Sequence, residues 1–216
     1  MNQDERLAPI YDIYVKYFGD DAELIIDAGT RDGHDAKYLA DKLKAKRVVA
    51  IDANPIAYEK TKRNYPEFEV IETAISNFEG IAKFTQIVSD REDWDGSSSL
   101  ARWGNFSGAT YNEITVDVTT MKSLLDNLGI NEKPIDVIKV DLEGYTYECL
   151  EGMGDYIDQT KLFHLETEKY VRHPNHKQTN AVVRFMEQRG FQLEHTSYEW
   201  ANIEDQIWVN PRLFTR

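Results

Sequence analysis

The chain has 216 residues, 41% hydrophobic and 12% aromatic, enough to bury a sizeable core as one domain. Acids outnumber bases 38 to 25, a net charge of -13 whose mean field repels a phosphate backbone and argues against a nucleic-acid partner. No apolar run approaches the roughly 18 residues of a membrane span, the opening MNQDERLAPIYDIY lacks the basic and apolar parts of a leader, and the single Cys149 has no internal disulfide partner. The expectation is a soluble cytoplasmic chain with no membrane partner.

From about Glu5 to Phe18, Leu7, Ile10, Tyr11, Tyr14, Tyr17 and Phe18 recur at spacings of three and four, which predicts an amphipathic helix in residues 1–22 packed on the body. A single α/β domain is expected over 23–216. Apolar strand runs occur at 23–28, 47–52, 68–75, 136–141 and 161–166, and helical patterns at about 35–45, 55–65, 120–128, 145–153 and 178–189. Strand alternating with helix predicts a doubly wound, mostly parallel sheet covered on both faces. The densest basic cluster, KLKAKR at 42–47, reads as a solvated helix end. Residues 80–88 and 112–118 predict a further strand pair around an inserted loop, 89–112, which carries Trp94, Trp103, Phe106 and Tyr111. FQLEHTSYEW and EDQIWVN predict a closing hairpin with an antiparallel edge.

In open parallel sheets ligands gather at the carboxyl ends of the strands, and here those ends are acids and glycines: Asp27 and Gly29, Asp52, Asp141 with Glu143, and Glu166. Asp52 follows Gly29 by 23 residues, where an acid can accept both hydroxyls of an adenosine ribose. A pyrophosphate-binding G-x-G-x-x-G turn needs glycines at 31 and 34, where this chain has Arg31 and His34, and no Walker lysine motif is present. Adenosine without phosphate points to S-adenosylmethionine, its ammonium facing Asp27 and its carboxylate facing Arg31 or backbone N–H groups near Gly33.

In chain order, IIDAGTRDG, VVAIDANP, TAISNFEG, SSSL, ITVDV and IDVIKVDLEGYTYECLEG resemble the motifs of the FkbM-type methyltransferases over about Leu24 to Glu168. That resemblance implies the seven-stranded class I methyltransferase fold and adds Thr30, Ala53, Thr73, Ala74 and Ser99 to Asp27, Gly29, Arg31, Gly33, Asp52 and Asp141 as cofactor contacts. It also implies O-methylation of a hydroxyl on a sugar, glycan or other small acceptor. The loop aromatics read either as a satellite core under the loop or, with a sugar acceptor, as its wall together with the N-terminal tyrosines. Departures stand at Thr30-Arg31, Asp52-Ala53 and Tyr145-Thr146; they leave the cofactor assignment intact and bear on the acceptor.

Asp141 is expected beside the transferring methyl, and Glu143 as base or acceptor anchor. His173 and His176, spaced H-x-x-H with Glu166 and Glu168 close in sequence, read as surface histidines, as a general base or as part of a metal site, where a hard cation would prefer the carboxylates; no metal is assigned. An NAD(P)-dependent oxidoreductase and a non-catalytic nucleoside-binding module stay open as alternatives, and the oligomeric state is not set.

Overall fold

The computed structural model describes residues 3–89, 96–100, 108–130, 134–170, 177–200 and 202–214. Its elements in chain order are α1 (Gln3–Phe18), β1 (Leu24–Ala28), α2 (His34–Lys42), β2 (Arg47–Asp52), α3 (Pro55–Asn64), β3 (Glu69–Glu72), β4 (Ala74–Ser76), β5 (Gly80–Val88), β6 (Thr110–Thr120), α4 (Met121–Asn127), β7 (Ile135–Val140), α5 (Thr146–Glu151), β8 (Thr160–Glu168), α6 (Thr179–Gln188), β9 (Gln192–Trp200) and β10 (Ile203–Val209). The main sheet runs β3-β2-β1-β7-β8-β10-β9, and β4-β6-β5 form a second, three-stranded sheet. Neighbours from β3 to β8 pair in parallel. The closing hairpin lies at one edge as predicted, but the antiparallel strand, β10, sits one place in from that edge, between β8 and β9.

Burial on both faces explains why β1 and β7 read as unbroken apolar runs. One face packs Ile26, Val49, Ile138, Phe163 and Trp208 against Leu125, Leu150 and Met186 of α4, α5 and α6. Cys149 belongs to this layer, and burial pushes its thiol up to about 12, so it behaves as a small apolar group. The other face packs Ile25, Val137, Leu162 and Ile207 against Leu7, Ile10 and Tyr14 of α1 and Leu39 and Leu43 of α2.

The residues at helical spacing in the N-terminal segment, Leu7, Ile10 and Tyr14, form the face that packs on the sheet. At the amino end of the sheet that docking ends in a polar knot, where Asp136 accepts from Tyr14 Oη at 2.5 Å, Lys161 Nζ at 2.6 Å and the N–H groups of Glu23 and Leu24. The basic cluster is neutralised locally, Lys44 by Asp20 and Asp21, Lys46 by Glu23 and Arg47 by Glu69. No helix among the described residues is long and apolar enough to cross a membrane.

The run 68–75, read as one strand, divides at Thr73. Its N–H reaches back to Asp52 O at 3.2 Å while its hydroxyl donates to Asp117 O at 3.2 Å, and the chain crosses into the second sheet. The fifth run continues past Glu166 to Glu168, where it still pairs with Ile203.

The first turn fits against β7 with no space for a side chain. Gly29 has φ +86, and a Cβ there would stand 1.7 Å from the carbonyl oxygen of Asp141. Gly19, at φ +89, has nothing within 4 Å of the same position. Gly19→Ala should therefore lose only the left-handed strain of about 1–2 kcal/mol, whereas Gly29→Ala must also displace the turn. Urea unfolding is expected to show a clearly larger loss for Gly29→Ala; equal losses would mean that the turn does not seat on β7.

Candidate active site

On the face beneath α1 and α2, each central strand changes from apolar to ionisable over two residues: Ile25 to Asp27, Val137 to Lys139, Leu162 to His164 and then Glu166, Ile207 back to Asp205. Side chains of one face alternate with the other, so the register Asp27↔Lys139↔His164 sets three of them in a row across β1, β7 and β8. The helices change at the same level, one turn from Ile10 to Arg6 in α1 and from Leu39 to Asp35 in α2. A layer of charge thus lies between the apolar core and the carboxyl edge of the sheet.

Lys139 is its centre. The side chain is 2% exposed, and Nζ lies 3.2 Å from Asp141, 3.3 Å from Asp35 and 3.5 Å from Asp27. Burial alone would lower its pKa, but Asp27, Asp141 and Asp35 more than offset that and hold it well above the ordinary lysine value. Arg6 closes the layer from above, 2.7 Å from Asp35 and 3.7 Å from Asp205. His164 is buried, and desolvation, then Lys139 and Arg6, push its pKa down to about 3, so its ring is neutral.

The carboxyl of Asp27 is pushed up to about 6, chiefly by burial, with Lys139 pulling the other way. Among the described residues neither of its oxygens accepts a hydrogen bond of ordinary length, although the Thr30 hydroxyl lies near enough to ease the cost. Asp52 is likewise raised to about 6 by burial, eased by the N–H groups of Asn54 at 2.8 Å and Arg31 at 2.9 Å. A carboxylate accepts about four hydrogen bonds, so two positions remain.

The turn from Gly29 to Gly33 joins these acids. Arg31 at φ 55 and Glu143 at φ 51 are two of the three non-glycine residues with positive φ among the described residues, so the two turns at the edge carry backbone strain together. The side chain of Arg31 passes Gly96, whose Cβ position would lie 3.2 Å from Arg31 Cδ. The expectation for Gly33 needs correction. Its N–H donates to Thr30 O at 2.9 Å, as does that of Asp32 at 2.6 Å, so these donors serve the turn itself. Gly33 is required instead by Tyr65, whose ring would lie 2.5 Å from a Cβ.

The other residues singled out in the sequence line the same edge. Ala53 and Thr73, with Glu72, Thr115, Val116 and Asp117, line a cavity of about 250 Å³ beside Asp52, and Ala74 is buried next to it. Ser99 donates to the Glu143 carbonyl at 2.9 Å, which fastens the inserted segment to the turn after β7. Asp141 follows β7 directly.

His173 and His176 lie outside the described residues, as do Trp94, Trp103 and Phe106. Tyr14 and Tyr17 of α1 do not form an acceptor wall: Tyr14 is fully buried and Tyr17 stacks on Phe214 at 4.2 Å. Sequence reasoning missed Arg6, His164 and Asp205, read Asp35 only as a helix cap, gave Lys139 no role, and considered Glu166 only as a strand end and in passing as a cation ligand beside His173 and His176. Strand register joins Lys139, His164, Glu166 and Asp205, and helix packing adds Arg6 and Asp35; both depend on knowing which elements are neighbours.

Glu166 is 6% exposed, and Oε1 has no hydrogen-bond partner among the described residues. Burial, then the charges of Asp141, Glu143, Glu168 and Asp205, push its pKa well up. Its carbonyl accepts from Thr146 Oγ1 at 2.7 Å, which ties the end of β8 to the first turn of α5.

The Methyltransferase FkbM domain profile matches residues 27–193. Among solved structures, the chain is similar to an rRNA methylase from Streptococcus thermophilus at 14% identity and TM-score 0.52, over 97% of each chain. It is similar to M. capricolum TrmK in complex with S-adenosyl-homocysteine at 15% identity and TM-score 0.50, over 98% of this chain and 70% of that one. It also resembles magnesium protoporphyrin IX methyltransferase from Synechocystis PCC 6803 with bound SAM at 11% identity and TM-score 0.50, over 95% and 78%. At such identities the likeness is one of fold. No curated protein matches the chain.

Lys139→Met keeps the stem and deletes the charge, leaving buried carboxylates uncompensated, an effect of about 3–5 kcal/mol. Asp27 then has a folded pKa further above its unfolded value. Protonation stabilises such a fold below the unfolded pKa, and that stability is lost as pH rises through the folded pKa. Urea unfolding should therefore show the deficit of Lys139→Met shrinking from pH 8 to pH 5; a deficit independent of pH would remove Lys139 from this role.

Proposed function

Because the chain belongs to the Methyltransferase FkbM domain family, we propose that it is an S-adenosylmethionine-dependent O-methyltransferase acting on a hydroxyl of a sugar, glycan or other small metabolite. The observation that carries this reading is the convergence of Asp27, Asp52 and Asp141 at the carboxyl ends of adjacent strands, around a turn whose Gly29 has no space for a side chain. The donor is S-adenosylmethionine, which when bound supplies an electrophilic methyl on a positively charged sulfur.

Asp52 has acceptor positions for two ribose hydroxyls, and the cavity lined by Ala53 and Thr73 lies beside it for the base. Asp27 has no exposed surface, so it acts on an ammonium through its field from beneath the turn rather than by direct contact. Arg31 is the group for the amino-acid carboxylate. Asp141, with its side chain 23% exposed and one oxygen held by Lys139, faces the reacting centre with a fixed negative charge. Glu143 takes the proton of the acceptor hydroxyl or anchors the acceptor. The net charge of -13 supports a small acceptor over nucleic acid, and the single buried Cys149 supports a reducing, cytoplasmic setting.

Hydrogen bonds to a charged group contribute about 1.5–3 kcal/mol each, so Asp52→Ala should weaken S-adenosyl-homocysteine binding at least about tenfold by calorimetry. Glu143→Gln should stay within about threefold of the parent, under 1 kcal/mol, because it serves the acceptor side. Unchanged affinity in a folded Asp52→Ala protein would overturn the ribose assignment.

A further inference from the structure

We infer that Asp141, Glu143 and Glu166 form a binding site for one hard divalent cation at the carboxyl edge of β7 and β8. One carboxylate oxygen from each lies within 4.8 Å of the other two. Two oxygens bound to one ion are separated by at most about twice the metal–oxygen distance, about 4.2 Å for magnesium and about 4.6–5.2 Å for calcium. An upper bound of 4.8 Å is compatible with an ion of calcium size and asks a small closure for a smaller ion such as magnesium.

A group of acids at a surface needs no ion, but this one is not at a free surface. Glu166 is 6% exposed, and Oε1, sealed from solvent, finds no hydrogen-bond donor among the described residues. A buried polar atom without a partner is costly, and the groups clustered with Glu166 are the carboxylates of Asp141 and Glu143, which when ionised accept and do not donate. Glu168 and Asp205 add to the negative potential there, and Lys139, which pairs with Asp141, is shared with Asp27 and Asp35. What completes such a set is a cation held by oxygen ligands.

The ligands come from rigid places. Asp141 and Glu143 flank Leu142 in the turn that Ser99 fastens through the Glu143 carbonyl, and Glu166 sits within β8 with its carbonyl bonded to Thr146. Such an ion has further coordination positions on the open side, where it would hold oxygen atoms of the acceptor. That last step rests on the methyltransferase reading; the site itself does not.

The test uses the full chain, with neither donor nor acceptor. Mn²⁺ is titrated at about 0.15 M salt, which screens diffuse binding to the acidic surface, and free ion is read by electron paramagnetic resonance. One Mn²⁺ per chain is expected, displaced by Ca²⁺ or Mg²⁺, with affinity at least tenfold weaker in Glu166→Gln and in Glu143→Gln. Glu143 is in a turn and partly exposed, so its variant decides the matter if Glu166→Gln does not fold. No saturable binding below about 10 mM, or equal affinity in the parent and a folded variant, overturns the site and shows that protons alone balance these carboxylates. Either result leaves the affinity for S-adenosyl-homocysteine to be judged separately, so a failed metal site and a failed cofactor assignment remain distinguishable.

Discussion

A lysine with 2% of its side chain exposed, in the second central strand of a parallel sheet, is the constraint from which the rest of this molecule follows. Desolvating an ammonium costs several kcal/mol, and only the three carboxylates around Nζ make it tolerable. The dependence runs both ways. Asp27 would lose the cation that eases its burial, Asp35 would be left with Arg6 alone, and Asp141 would lose its contact with Nζ. The layer spends stability to hold charge at fixed positions under a binding edge, which is the use of a buried ion group that favours function over folding.

That layer also accounts for α1. At one end of the sheet the helix is held by Tyr14 on Asp136, and at the other by Arg6 on Asp35 and Asp205. Between them Leu7 and Ile10 are fully buried. Asp35 receives both Arg6 and Lys139, so the helix is coupled electrostatically to the group that carries Asp27 and Asp141. The N-terminal segment is thereby part of the charge balance of the site as well as a cover for the sheet.

Much of this was legible in the sequence, and what was not has physical reasons. The alternation of strand and helix, the acids at strand ends and the glycine at 29 follow from local pattern, and the site residues named from it stand along one edge. Lys139 reads as an ordinary charge in VIKVD because periodicity does not reveal whether both faces of a strand are covered. Tyr14 and Tyr17 have helical spacing whether they pack inward or line a pocket, and the packing of α1 decided for the core. The break at Thr73 depends on a bond to Asp117, distant in sequence. Glu166 becomes part of a site only once β8 is known to lie beside β7.

The central claim is that the charged layer and the turn at Gly29 present Asp52 to a nucleoside and Asp141 to the reacting centre. A crystal structure of the chain with S-adenosyl-homocysteine measures this directly. The account predicts both ribose hydroxyls within ordinary hydrogen-bond distance, about 2.5–3.2 Å, of the Asp52 carboxylate, with the sulfur toward Asp141 and Lys139 still joined to its three acids. A nucleoside bound away from the carboxyl ends of β1 and β2, with Asp52 holding only the N–H groups of Arg31 and Asn54, would contradict it.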